Sequence, residues 1–182
     1  MAQSMAAGAH WLVAAAAAFS MTAVVAGAEL EWLRFRSERG RFAVRLPGSP
    51  EEIRDTRATL GGIVHWSEYL AKRGATEFRV EHHDLPWLAT FLLSTDGLLK
   101  RAKDGLVEEE HGHELSGAPV SVQGYPAREV SFRVQAEQDL AGDALLVLVG
   151  RRLYVLVALG PQAERDASAL DRYFRSFEIW EP

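Results

Sequence analysis

Residues 143–160 read DALLVLVGRRLYVLVALG, and this stretch decides the fold. Two apolar runs, 144–149 and 153–159, meet at Gly150-Arg151. A Gly-X pair between two such runs is a two-residue hairpin turn. The runs are continuous rather than alternating, so both strands are buried on both faces. Strands of that kind need cover above and below. The sequence therefore predicts an α+β fold, with a mostly antiparallel β-sheet of about six to eight strands flanked by helices on both faces.

Further strands and turns lie on either side. Upstream, VSVQGYPAREVSFRV reads as strand, turn, strand, with Val130, Phe132 and Val134 on one face. GRFAVRLPGSP alternates Phe42, Val44 and Leu46 against Arg41, Ala43 and Arg45, a half-buried strand that PGSP stops. Gly61-Gly62 marks a hairpin between IRDTRATL and IVHWSEYLA. In the second of these, Val64, Trp66 and Leu70 share a face with Glu68, while Ile63, His65, Tyr69 and Ala71 take the other, as in a central strand. KRGA then turns the chain into TEFRVEHH.

Two main helices are predicted. The first begins in STDG, where Ser94, Thr95 and Asp96 are all good N-caps. Leu98, Leu99, Ala102 and Leu106 form its apolar stripe, and Lys100, Arg101, Lys103 and Asp104 face water. The second opens at Gly160-Pro161, since proline is well tolerated at a first helical position. Its core stripe is Ala163, Ala167, Leu170, Phe174 and Phe177.

Positions 1–28 differ in kind. They contain no Lys, Arg, Asp or Glu, carry the apolar run WLVAAAAAFSMTAVV, and end with Ala26 and Ala28 before Glu29. This is the pattern of a secretory signal peptide cut near Ala28. The alternative is an uncleaved anchor, but the run is shorter than the about 20 residues of a spanning helix. Cleavage leaves residues 29–182 as a single domain, periplasmic or secreted, of a size that holds its own core. The chain has no Cys, so it uses neither disulfides nor thiolate chemistry. A net charge of −5 without a basic stripe argues against nucleic acid and, after signal cleavage, against a membrane surface as partner.

FRSERGRFAVRLPGSP, VQGYPAREVSF and GRRLYVLVALGP followed by LDRYFRSFEIW resemble, in this order, the PsbP-like family of exported and lumenal proteins. The resemblance covers nearly all of the chain after the signal segment. It implies an α/β/α sandwich, and its plant members imply a non-catalytic accessory role. The matched positions, among them Pro126, Tyr154, Phe174 and Phe177, carry fold rather than chemistry.

The densest chemical stretch is EEEHGHEL, residues 108–115. In an extended segment His111 and His113 project to one side, and His82 or His83 of EHH would complete a site for a divalent transition metal such as Zn²⁺, Cu²⁺ or Ni²⁺. The spacing matches no metal signature such as HExxH, and the simpler explanation is a polar junction where a helix ends. Three carboxylates there oppose the helix dipole, so they do not serve the helix itself. No GxSxG or SxxK motif marks a nucleophile, and LGGI and VGRRL are hairpin turns rather than phosphate cradles. Trp87 and Phe91, in HHDLPWLATFLL, are either a partner-binding patch or a short helix packed on the sheet. The expectation is an exported non-catalytic accessory or binding protein, whose partner is a protein or small ligand of the cell envelope, with no resident cofactor. The alternatives are an exported metal-binding protein using the four histidines and an unrecognised hydrolase.

Overall fold

The computed structural model describes residues 31–59, 62–135 and 139–180. The predicted signal peptide and its cleavage position lie outside them. Ten strands and three α-helices follow in order: β1 Trp32–Ser37, β2 Phe42–Pro47, β3 Glu51–Thr59, β4 Gly62–Arg73, β5 Thr76–Asp84, α1 Trp87–Leu92, α2 Thr95–Glu109, β6 Gly112–Val122, β7 Tyr125–Gln135, β8 Asp139–Val149, β9 Arg152–Pro161, α3 Ala167–Arg175 and β10 Glu178–Ile179. Among the described residues no helix is long and apolar enough to cross a membrane.

Seven strands form one sheet in the order β3-β4-β5-β9-β8-β7-β6, and every neighbouring pair is antiparallel. The opening stretch lies at its centre. Val149 pairs with Arg152, and Gly150 takes φ +58° at the first turn position, a backbone region in which a side chain is strained. Residues 153–158 of β9 are all buried, as continuous apolar strands should be. Two meanders, β3-β4-β5 and β6-β7-β8-β9, meet where β5 pairs with β9, and the helices α1 and α2 connect them.

Strand alternation divides the core in two. Even positions of β5 and β9 (Phe78, Val80, Tyr154, Leu156) face a three-stranded sheet of order β1-β2-β10, together with Ala169, Tyr173 and Phe177 of the C-terminal segment. Odd positions of β9 (Leu153, Val155, Val157) and Val130, Phe132 and Leu146 face α2 through Leu99, Leu106 and Val107. Gly142 sits opposite Phe132 in the ladder, and a Cβ there would lie 2.2 Å from the Phe132 ring. The α+β architecture with a mostly antiparallel sheet is thus present. On the second face, among the described residues, α3 is the α-helix that contributes cover, beside the small sheet.

Some local expectations change. β9 runs through Pro161 in register with Leu140, and α3 begins only at Ala167. Asp166 sets that start, because its carboxylate accepts from the Ser168 and Ala169 amides. With the later start Ala169 and Tyr173 are buried together with the expected Phe177, while Ala163 and Ala167 are exposed and Leu170 and Phe174 half-buried. Lys103 does not face water. It is buried, and its ammonium pairs with Glu114 and, at 2.6 Å, with Asp104. β4 is next to the edge strand rather than central, with Ser67, Tyr69 and Ala71 buried on one face and Trp66 half-buried on the other. Gly62 pairs with Thr59 as the first residue of β4 rather than standing in the turn, and positions 60 and 61 lie outside the described residues. Trp32 meets Phe78 edge-on at 5.3 Å, and Trp180 carries the Arg36 guanidinium 4.3 Å above its ring.

Candidate functional site

Period two decides which side chains of β4 and β5 can meet ligand. Ser67, Tyr69, Phe78, Val80 and His82 enter the core shared with the small sheet. Trp66, Glu68, Arg79, Glu81 and His83 point the other way. On that side α2 packs on β6, β7 and β8, so the β4–β5 end of the face is left open beside the end of the helix. The result is a cleft of about 690 Å³. Among the described residues its walls are apolar at Val64, Leu85, Ala102 and Leu153, aromatic at Trp66, and otherwise built of titratable side chains.

The ionic wall is a connected network. Arg79 reaches both Glu81, Nε to Oε1 at 2.9 Å, and Glu110 at the end of α2. The other Glu81 oxygen lies 2.8 Å from His83 Nε2. His83 in turn stacks on Trp66 with the rings 6.1 Å apart and 15° from parallel. Glu68 faces Glu81 across the β4–β5 ladder. Among the described residues Glu68 makes no hydrogen bond or ion pair. Burial, then the Glu81 charge, raises its carboxyl above the usual range. Arg79 is raised as well: burial acts against its charge, but Glu81 and Glu110 outweigh it.

The residues of EEEHGHEL fall into place around this network. α2 ends at Glu109 with Glu110 as its C-cap, and His111 adopts φ +52°, which turns the chain into β6. Glu110 goes to Arg79, and Glu114 goes to Lys103. A bulge between Glu114 and Ser116 leaves Leu115 exposed. Of the three carboxylates that oppose the helix dipole, Glu110 thus serves a tertiary pair. His111 and His113 are exposed.

The four histidines named from the sequence are not brought into one cluster. His82 and His83 point to opposite faces of β5, and three strands separate β5 from β6, where His113 lies. Among the described residues no group of three or more His, Asp or Glu is placed to hold a metal ion. Trp87 and Phe91 lie on α1, which buries none of its residues, and are 63% and 77% exposed.

A second, smaller cleft of about 380 Å³ opens on the other face and gathers Ser67, His82 and Asp84. Their types suggest a nucleophile, base and orienting acid, but no hydrogen bond joins any two of them. Asp84 is held by Arg152 in a two-pronged pair at 2.7 and 2.9 Å. His82 is 2% exposed, and its Nδ1 has no partner. Burial, then the Arg152 charge, lowers its pKa to about 4.

Sequence reasoning missed Glu68, Arg79 and Glu81, because their convergence depends on strand register. One signal was there: Glu68 stands among Val64, Trp66 and Leu70 on an otherwise apolar strand face.

No protein-family pattern matches the chain, and no curated protein matches it in sequence. Solved structures do resemble it. The cyanobacterial PsbP (CyanoP) of Synechocystis sp. PCC 6803 is 12% identical, with a TM-score of 0.54 over 83% of this chain and 94% of that one. A protein of unknown function from Pseudomonas aeruginosa, described as a putative regulator, is 9% identical with a TM-score of 0.45 over 84% and 99%. A protein of Bacteroides thetaiotaomicron VPI-5482 is 12% identical with a TM-score of 0.46 over 81% of this chain and 48% of its own. At such identities the likeness bears on architecture alone. On the cyanobacterial match, the described chain has the PsbP-like fold.

Proposed function

We propose that this chain is an exported, non-catalytic binding protein that takes a ligand into the cleft between β4, β5 and the end of α2. One observation carries the reading: an open cleft of about 690 Å³ gathers an indole, apolar walls and a connected ionic network. Sites for small molecules have this size and this mix of apolar walls with a few placed polar groups. The non-catalytic part draws support from the way the reactive side chains are engaged. Asp84 is held by Arg152, and His82 lies buried without a bond to Ser67. A general base needs contact with the proton it removes and a pKa near the working pH.

The accessory part of the reading draws on the PsbP-like fold and on α1, whose Trp87, Phe91 and Leu92 are exposed together. Export draws on the uncharged, apolar positions 1–28.

Two measurements test this. Amide and indole NMR shifts during a small-molecule screen should collect on Trp66 and on β4 and β5. Hits that collect elsewhere, or chemical turnover of a bound compound, would overturn the binding reading. Mass spectrometry of the protein recovered from the cell envelope should give a chain that begins at Glu29. Full-length chain retained in the cytoplasm would overturn export.

A further inference from the structure

We propose that the cleft receives an organic cation, an ammonium or guanidinium group on an apolar or planar body, held by Glu68 against Trp66. This deepens the binding reading above and rests on it.

The argument starts from register. Glu68 and Glu81 are directly opposite on antiparallel strands. Side chains so placed have Cβ atoms about 5 Å apart, and like charges there repel. The chain answers this for Glu81 and Glu110, which share Arg79. Glu68 feels the Arg79 charge as well, but among the described residues it makes no hydrogen bond or ion pair.

The helix end adds to the negative field. α2 has no basic residue in its last turn, and Glu109 and Glu110 line the cleft at that end. The C-terminus of a helix carries roughly half a negative charge, so it favours a cation. Among the described residues Glu68, Glu81, Glu109 and Glu110 line the cleft together with Arg79, Arg101 and His83; Glu109 has an interaction of its own, and without it the carboxylates still outnumber the arginines by three to two. An anionic ligand would meet Arg101 but would also meet this excess of carboxylates. Trp66 lines the same space, and an indole face attracts a desolvated cation. A bare metal ion does not fit, because no three ligating side chains among the described residues are placed around one point. A cation with a body does, since the cleft has room beyond the charge and apolar walls to receive it.

The site also explains an unfavourable feature. A carboxylate facing another carboxylate, half-buried and without an ion pair of its own, costs stability that an amide of the same shape would not. Binding sites often retain such groups.

The test uses four probes of similar shape. 2-Phenylethylammonium and phenylguanidinium are the cations, 2-phenylethanol the neutral form, and phenylacetate the anion. Each is titrated into the chain by calorimetry while the Trp66 indole signal is followed by NMR. The expected result is that the cations shift Trp66 and bind at least tenfold more tightly than the neutral and anionic probes. Glu68→Gln should abolish that preference while raising the melting temperature. Trp66→Leu should weaken the cations while leaving the fold intact. Equal binding of neutral or anionic probes in the cleft would overturn the cation inference and leave the binding reading standing. So would a preference that survives in Glu68→Gln. A cleft that takes compounds from the screen but neither cation has the same meaning. A cleft that takes nothing overturns both.

Discussion

Acid should loosen this protein through one residue, His82. It is 2% exposed, stacks 6.3 Å from Tyr69, and lies against Phe42 in the core beneath the small sheet. Its pKa is lowered from 6.5 to about 4, by burial first and by the Arg152 charge second. The unfolded chain takes up a proton there near pH 6.5, and the folded chain refuses it until about 4. Stability therefore falls as pH falls through that interval, and the loss is complete below it. At about 1.4 kcal/mol per tenfold in proton affinity, the gap corresponds to about 3 kcal/mol. For a domain of this size that is roughly 10 °C in melting temperature. Asp84 shares the small cleft, but although burial pushes its carboxyl up, the hydrogen bonds and charge of Arg152, with smaller charges, together hold it below the usual range, so it stays ionised across most of the interval. Glu68 has the opposite sign, since its raised carboxyl makes the folded state hold a proton more readily. Subtracting the pH–stability curve of His82→Gln, measured by urea unfolding between pH 7 and 4, removes every group common to both proteins. The two curves should converge by about 3 kcal/mol as pH falls. Parallel curves would refute the burial argument.

Three further outcomes follow from packing and capping. Gly142→Ala should destabilise by about 1–3 kcal/mol, because its Cβ would enter the Phe132 ring and the core must shift to admit it; chemical denaturation measures this. Tyr173→Phe should cost about 1 kcal/mol, because the buried hydroxyl donates to the Arg79 carbonyl and that acceptor would lose its partner; the same unfolding experiment reads it. Ser94→Ala should cost about 1 kcal/mol and fray the first turn of α2, seen as faster amide exchange at Gly97, whose N–H the Ser94 hydroxyl accepts.

Much of the molecule follows from local rules. The apolar runs around Gly150 specify strands buried on both faces, and β9 is the middle strand of the sheet. Ser94 caps α2 as its position in STDG suggests, and the two-residue turns at Gly150 and after Arg73 lie where the glycines place them. These features depend on a few adjacent residues, on side-chain period and on the φ each residue tolerates, so a linear reading reaches them. The start of α3 was harder to read, because proline after glycine suits either a helix opening or the end of a strand. Pairing with Leu140 decided for the strand, and the capping carboxylate of Asp166 then fixed where the helix begins.

The candidate site is of another kind. That EEEHGHEL is a junction between a helix and a strand could be read from its order. That Glu110 reaches Arg79, and Glu114 reaches a buried Lys103, could not. Nor could the separation of His82 from His83, which needs only the knowledge that both lie on one strand, be joined to their distance from His113 without the sheet order. The cleft exists because β5 pairs with β9, Glu77 opposite Leu159 at one end, and because α2 covers β6 to β8 and stops short of β4 and β5. The sequence alone determined periods, turns and caps, which are energies of neighbours along the chain. The tertiary structure alone decided which charges face one another, because long-range strand register is settled by burial of the whole apolar surface at once.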